Sequence, residues 1–366
     1  MAYTTIDDPS AHFQTALYTG QGGTATAVTN DGNSDLQPDL IIFKSRTTTA
    51  RWNVMDSTRG ITKVLYAEAN DGQATDAGSE KPLDSFNSDG FTAGESLDHH
   101  TNISGASMIA WQWKANGGTT TTNDSSSTGV GNVDSIYQAN TTAGFSIVTF
   151  PADNTAGRTV AHGLGAAPKF IITKGAEQTG GWYTYHYHAG ANKWIVLHDT
   201  TAGTTNTGIW GNTHPTSSIF TIGNNETGYN NGGANDSLAY CFAEKQGYSK
   251  FGTFEANGSA TDGQFVYTGF KPAFVLWKNI DNGKQWFIVD SKRNPFNPTD
   301  HTLYTDALTA ELTWLSFGTA YGLLLSNGFK WNQGDSHWNN SGDTYVYAAF
   351  AEHPFVSSEG VPCTAK

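Results

Sequence analysis

Five landmarks recur three times, in one order, along a chain of 366 residues, and this internal repetition limits the fold more than any other feature. Pro38, Pro168 and Pro272 each open a run of apolar β-formers that reaches a lysine six residues on (Lys44, Lys174, Lys278). Trp52, Trp182 and Trp286 stand 14 residues after those prolines, and four residues further come Asp56, His186 and Asp290. Phe91, Phe220 and Phe329 follow their prolines by 53, 52 and 57 residues. Trp113, Phe242 and Phe350 close the pattern at 75, 74 and 78, each preceded at 11 residues by an asparagine: Asn102, Asn231, Asn339. A proline six residues ahead of a lysine means little alone. The ordered set reads as three tandem units.

Each unit opens with a short strand pattern, Phe13 to Tyr18, Phe145 to Phe150 and Tyr248 to Phe254. The expected division is an arm at 1–12, units at 13–116, 139–246 and 247–353, and a tail at 354–366. The stretch 117–138 is poor in apolar residues and reads as a flexible polar linker. Nothing comparable separates the second and third units, so these are expected to abut.

The apolar runs are four to six residues long and bounded by Gly, Asn, Asp or Pro, which favours strands over helices. Asp89-Gly90 and Asn327-Gly328 are hairpin-turn pairs. The best helical candidate, Thr305–Leu315, is short. The fold class expected is all-β: three tandem β-sandwich repeats, jelly-roll or lectin-like.

Charge and cysteines narrow the function. With 20 Lys and Arg against 33 Asp and Glu the net charge is −13, which argues against a phosphate-binding face and so against nucleic acid. No run approaches 18 apolar residues, and the opening residues show no basic and apolar leader, so neither membrane insertion nor secretion is expected. Cys241 and Cys363 cannot build a disulfide framework.

Catalytic patterns are weak. There is no Gly-x-Ser-x-Gly, no His-Glu-x-x-His and no phosphate loop, and Gly20-Gln21-Gly22-Gly23 is a turn. No enzyme activity, cofactor or metal is expected. His99-His100 and His186-x-His188 are the close histidine pairs. His186 and His188 share a strand face and could ligate a metal, but His186 holds the place of an aspartate in the other units, so a hydrogen-bonding role is expected. Arg59 and Arg293 follow Asp56 and Asp290 closely enough to pair with them within the turn. The repeated tryptophans are expected to fill the core.

Two groups of rings are candidates for ligand binding. Alternation along 182–188 sends Tyr183, Tyr185 and Tyr187 to one face and Trp182, His186 and His188 to the other. One face must be core; the opposite one could be exposed or meet a partner subunit. Trp331 and Trp338 sit in polar surroundings near Asn339-Asn340-Ser341 and are the surface-aromatic candidates.

Several longer segments carry a resemblance. They are Pro38-Asp39-Leu40-Ile41-Ile42-Phe43-Lys44-Ser45-Arg46, Phe86-Asn87-Ser88-Asp89-Gly90-Phe91-Thr92 and Ala110-Trp111-Gln112-Trp113-Lys114-Ala115. In the second half they are Gly247-Tyr248-Ser249-Lys250-Phe251-Gly252, Phe265 to Pro272, Asp290-Ser291-Lys292-Arg293-Asn294-Pro295-Phe296-Asn297-Pro298, and Ala351 to Ser358. From Phe13 onward the chain resembles an uncharacterised repeat domain of marine bacteriophage structural proteins. The first unit departs from it, with Asp56-Ser57-Thr58-Arg59-Gly60 in place of the Asp-Ser-Lys-Arg-x-Pro-Phe segment. The resemblance supplies no catalytic residues. It implies a virion protein of a tail, fibre or capsid surface, assembled in the host cytoplasm, homo-oligomeric and in contact with other virion proteins. A host-surface glycan adhesin is the alternative, and a polysaccharide depolymerase the last choice.

Overall fold

Short apolar runs punctuated by turn residues become strands throughout the computed structural model, which describes residues 2–76, 81–95, 99–152, 154–223, 236–314, 321–334 and 337–362. The first third holds β1 (Phe13–Thr19), β2 (Thr26–Val28), β3 (Leu40–Ser45), β4 (Asn53–Asp56), β5 (Lys63–Tyr66), β6 (Ala74–Thr75), β7 (Leu83–Phe86), β8 (Phe91–Ala93) and β9 (Ser107–Trp113). These form a six-stranded sheet, β1-β9-β3-β4-β5-β6, and a three-stranded one, β2-β8-β7.

The middle third begins with β10 (Thr121–Asn123), the one-turn helix α1 (Ser125–Thr128) and β11 (Ser135–Asn140). There follow β12 (Phe145–Pro151), β13 (Arg158–Ala161), β14 (Phe170–Gly175), β15 (Tyr183–His186), β16 (Lys193–Val196), β17 (Thr204–Thr205), β18 (Ile219–Ile222) and β19 (Asp236–Phe242). The sheets are β10-β11-β12-β19-β14-β15-β16-β17 and β13-β18.

The last third holds β20 (Ser249–Glu255), β21 (Phe265–Tyr267), β22 (Phe270–Asn279), β23 (Trp286–Asp290), β24 (His301–Tyr304), β25 (Leu312–Thr313), β26 (Tyr321–Leu325), β27 (Gly328–Asn332) and β28 (Thr344–Pro354). Its sheets are β20-β28-β22-β23-β24-β25 and β21-β27-β26. The all-β class is thus observed, as separate antiparallel sheets with no barrel. Pro38 and Pro168 stand just ahead of their strands, whereas Pro272 lies inside β22, where the ladder to β28 shifts register and tolerates a missing N–H.

Alternation gives each large sheet two buried faces. One face meets the small sheet of the same third. In the first, Ile41, Phe43, Met55 and Val64 pack on Val28, Leu83 and Phe91. In the second, Val148, Ile171, Tyr185 and Cys241 pack on Val160, Phe220 and Ile222. In the third, Val275, Trp277 and Phe287 pack on Val266, Phe329 and Trp331. The opposite faces of all three large sheets meet in one central cluster that contains Trp52, Trp113, Trp182, Phe242, Trp286 and Phe350. There Trp113, Phe242 and Phe350 touch one another, with centroids 6.3, 5.5 and 5.7 Å apart.

Two expectations give way. The stretch 117–138 carries β10, α1 and most of β11, which extend the edge of the middle sheet. Its strands need little apolar surface because they are held by ladder bonds and by polar burial. Gln138 is 0% exposed, donates to Ser57 and Thr58 at 2.9 and 2.6 Å and accepts from the Gly118 N–H. Within Thr305–Leu315 there is no α-helix among the described residues: Leu312 and Thr313 form β25, paired with β24. Asn231, Leu315 and Cys363 lie outside the described residues.

Candidate functional site

The residues that recur in the sequence meet across the three thirds rather than at one surface point. Trp52, Trp182 and Trp286 are all buried in the central cluster. Each indole N–H leaves its own third: Trp52 Nε1 donates to the Ala307 carbonyl at 3.0 Å, Trp182 to Tyr66 at 2.8 Å and Trp286 to Val196 at 2.8 Å. First bonds to third, second to first and third to second, which closes a cycle.

The lysines repeat that cycle. Lys44, Lys174 and Lys278 are 0% exposed. Each ammonium caps the carbonyl six residues on, at Ala50, Gly180 and Lys284, and a second carbonyl in a neighbouring third, at Leu308, Asn70 and Asp199. Desolvation pushes each lysine down to about 8.

The acidic anchors form the third set. Asp56 accepts from Arg59 Nε at 2.7 Å and from the Tyr240 hydroxyl at 2.7 Å. Asp290 accepts from Arg293 Nε at 2.6 Å and from Trp111 Nε1 at 3.2 Å. Burial, then the Asp56 carboxylate, holds the Tyr240 phenol well above its ordinary value, so it remains a donor. Trp111 and Tyr240 stand two residues before Trp113 and Phe242; two residues before Phe350 comes Ala348, which can donate nothing from its side chain. The second third accordingly carries His186, whose Nε2 reaches the Tyr347 carbonyl at 3.2 Å. Burial pushes that imidazole down to about 3, so it is neutral and Nε2 carries the proton. His186 therefore makes the expected hydrogen bond, and the His188 ring centroid lies 6.1 Å from its own. The expected Asp–Arg pairs are formed within both turns.

Glu311 adds a junction between the first and last thirds. It takes both arms of Arg46 at 3.0 and 2.8 Å and Arg293 Nη1 at 3.0 Å, with His301 Nδ1 3.1 Å away. Desolvation raises its carboxyl, but His301, Arg46 and Arg293 outweigh this and hold it well below the usual range.

The ring candidates fare differently. Trp331 and Trp338 are 1% and 0% exposed and pack on Trp277 in the last third, so they present no face to a ligand. Polar neighbours in sequence did not place them in solvent: alternation along β27 turns Trp331 inward, and Trp338, in a turn, packs against Trp277 and Trp331. Tyr183 and Tyr185 are buried between the two sheets of the middle third, and Trp182 and His186 on the other face are buried in the centre. Tyr187 is exposed, yet Lys169 Nζ lies 3.2 Å from its ring centroid and the His214 ring 5.0 Å away.

Open space lies elsewhere. A cleft of about 900 Å³ runs between β20 and β21 and is bordered by Lys250, Thr253, Glu255, Asn257, Phe265 and Tyr267. Phe265 and Tyr267 are 38% and 52% exposed. A second groove, of about 340 Å³, lies between the first and last thirds and is crossed by the Lys292–Asp31 ion pair. In the sequence Phe265 and Tyr267 look like any alternating strand; their exposure follows from β21 being a sheet edge. Cys241 is buried, and burial raises its thiol, which does not favour a reactive thiolate. Among the described residues no group of three or more His, Cys, Asp or Glu is placed to hold a metal ion, and no helix is long and apolar enough to cross a membrane.

The profile of a domain of unknown function, DUF7483, matches residues 8–354. The chain belongs to the DUF7483 family. No curated protein and no solved structure matches it. In this DUF7483 chain the matched region takes in all three thirds, from just before β1 to the end of β28.

Proposed function

We propose that the chain is a bacteriophage virion structural protein, an exposed tail, fibre or capsid-surface component made of three β-sandwich repeats. The observation that carries this reading is the closed cycle of buried bonds: the residues that recur in the sequence are spent on locking three sheet pairs together. Three sheets with the strand orders β1-β9-β3-β4-β5-β6, β12-β19-β14-β15-β16-β17 and β20-β28-β22-β23-β24-β25 support the repeat. The resemblance of the quoted segments to phage structural proteins supports the virion setting, with assembly in the host cytoplasm, other virion proteins as partners and a homo-oligomeric state. Mass spectrometry of purified particles tests it. Peptides of this chain should copurify with infectious particles through a density gradient, and their absence from such particles would sink the idea. A glycan adhesin or a depolymerase would have to work through residues other than Trp331, Trp338, Tyr183 and Tyr185, whose rings are buried.

A further inference from the structure

The middle and last thirds differ in one respect that points to a partner. In both, a strand of the large sheet pairs on one side with the long closing strand: β12 with β19, β20 with β28. Thr149 lies opposite Leu238 and Thr253 opposite Val346, each four residues before the closing aromatic, so the two strands are in the same register. In the middle third the other side of β12 is filled. β11 pairs with it through Ile136↔Thr149, Gln138↔Ile147 and Asn140↔Phe145. The residues leading into β11 cross to the small sheet, where Val133 bridges Val160 of β13. Tyr137 and Ala139 then pack on the core between the sheets.

In the last third Lys245 and Glu244 take the outer N–H groups of Ser249 and Phe251, and beyond them no strand among the described residues lies along β20. The outer side of β20 is identified by Ser249 and Phe251, whose N–H groups turn away from β28 toward the Lys245 carbonyl and the Glu244 carboxylate. By alternation the N–H and C=O groups of Thr253 and Glu255 face the same way. They open onto the 900 Å³ cleft, with β21 as its far wall just as β13 is in the middle third. An unpaired edge beside exposed Phe265 and Tyr267 is a template for one more strand.

We propose that the β20–β21 cleft binds an extended segment of a partner protein, which pairs antiparallel with the Thr253–Glu255 end of β20 as β11 pairs with β12 at Thr149. The chemistry of the occupant follows from β11: an uncharged strand, Ser-Ile-Tyr-Gln-Ala-Asn, with no proline and with an aromatic and a small side chain turned inward at alternate positions. A second copy cannot lend its own β11, which β10 and β12 hold on both edges. The inference stands on this geometry and goes beyond the virion reading.

The test uses the full chain and a fluorescent peptide of residues 131–140, with binding read by anisotropy. Saturable binding is expected. Methylating the peptide nitrogen of Ile136, which faces Thr253 in this register, removes a ladder donor and should weaken it at least ten-fold. Thr253→Pro, checked for native near-UV circular dichroism, removes an outward donor and should weaken it similarly. In the wild-type chain the bound peptide should slow deuterium exchange at Thr253 and Glu255, a readout that needs no variant. Absence of binding up to millimolar peptide, or binding indifferent to N-methylation, would overturn the proposal. So would a dimer in light scattering that Thr253→Pro dissolves, because the edge would then belong to a second copy.

Discussion

Tyr240→Phe removes one oxygen from the centre of the molecule and leaves the ring in place. The lost hydroxyl donates to Asp56 Oδ2 at 2.7 Å and receives Arg59 Nη2 at 3.3 Å, so the substitution cuts a bond between the middle and first thirds without unpairing either charge. Asp56 keeps Arg59 Nε and the Arg59 backbone N–H, and Arg59 keeps the Val54 carbonyl. A hydrogen bond to a charged group contributes about 1.5–3 kcal/mol, so a loss of about 2 kcal/mol is expected. The entropy of unfolding, about 2.1 cal/mol/K per residue, converts this to temperature. If all 366 residues unfold together, the midpoint falls by about 3 °C. If a third of roughly 105 residues unfolded alone, one sub-transition would fall by about 9 °C while the others stayed. Thermal melts followed by near-UV circular dichroism distinguish these outcomes. A double-mutant cycle with Asp56→Asn should return a coupling above about 1 kcal/mol. A single transition that moves by less than one degree, with no coupling, would refute the role assigned to the acidic anchor.

Glu311→Gln should cost about 3 kcal/mol in urea titrations, since Arg46 and Arg293 lose a buried anionic partner; Gln restores shape but not charge, so a neutral result would show the junction to be dispensable. Acid should destabilise the fold before carboxylates titrate. His12, His100, His162, His186, His188 and His198 are all depressed, with burial the first cause in each. The unfolded chain therefore binds more protons below pH 6.5, and stability present above that pH is lost as it falls, by up to about 1.4 kcal/mol per pH unit and group. Equilibrium unfolding at pH 7, 6 and 5 checks the slope, and His186→Leu should flatten it. Amine acylation at pH 8, read by peptide mass spectrometry, should modify Lys292 while sparing Lys44, Lys174 and Lys278 until the chain is unfolded.

Much of the fold was legible because the repeated residues are the ones with the least freedom. Trp52, Trp182 and Trp286 had to be core by recurrence, and they are. Their partners were not legible, because the bonds run from Trp52 to Ala307 and from Trp182 to Tyr66, far apart in sequence. One signal did lie in the sequence: aspartate occurs in two copies and histidine in the third, while the place before the closing aromatic reads Trp111, Tyr240 and Ala348. The polar stretch 117–138 misled because composition reports apolar burial, and β11 is held by backbone pairing and by Gln138 instead. Trp331 and Trp338 misled for the reverse reason, since polar neighbours in sequence say nothing of which way a ring turns. Gly90 shows what local chemistry does fix: at φ +91 in the turn between β7 and β8, a Cβ would stand 2.0 Å from the Val28 carbonyl.

Differential scanning calorimetry of the whole chain, in conditions where rescans superimpose, tests most directly whether the three sheet pairs share one core. Near 60 °C unfolding 366 residues absorbs about 260 kcal/mol. One core predicts a single transition whose van't Hoff enthalpy matches that calorimetric value. Two or three resolved transitions, or a van't Hoff enthalpy near a third of the calorimetric one, would contradict it.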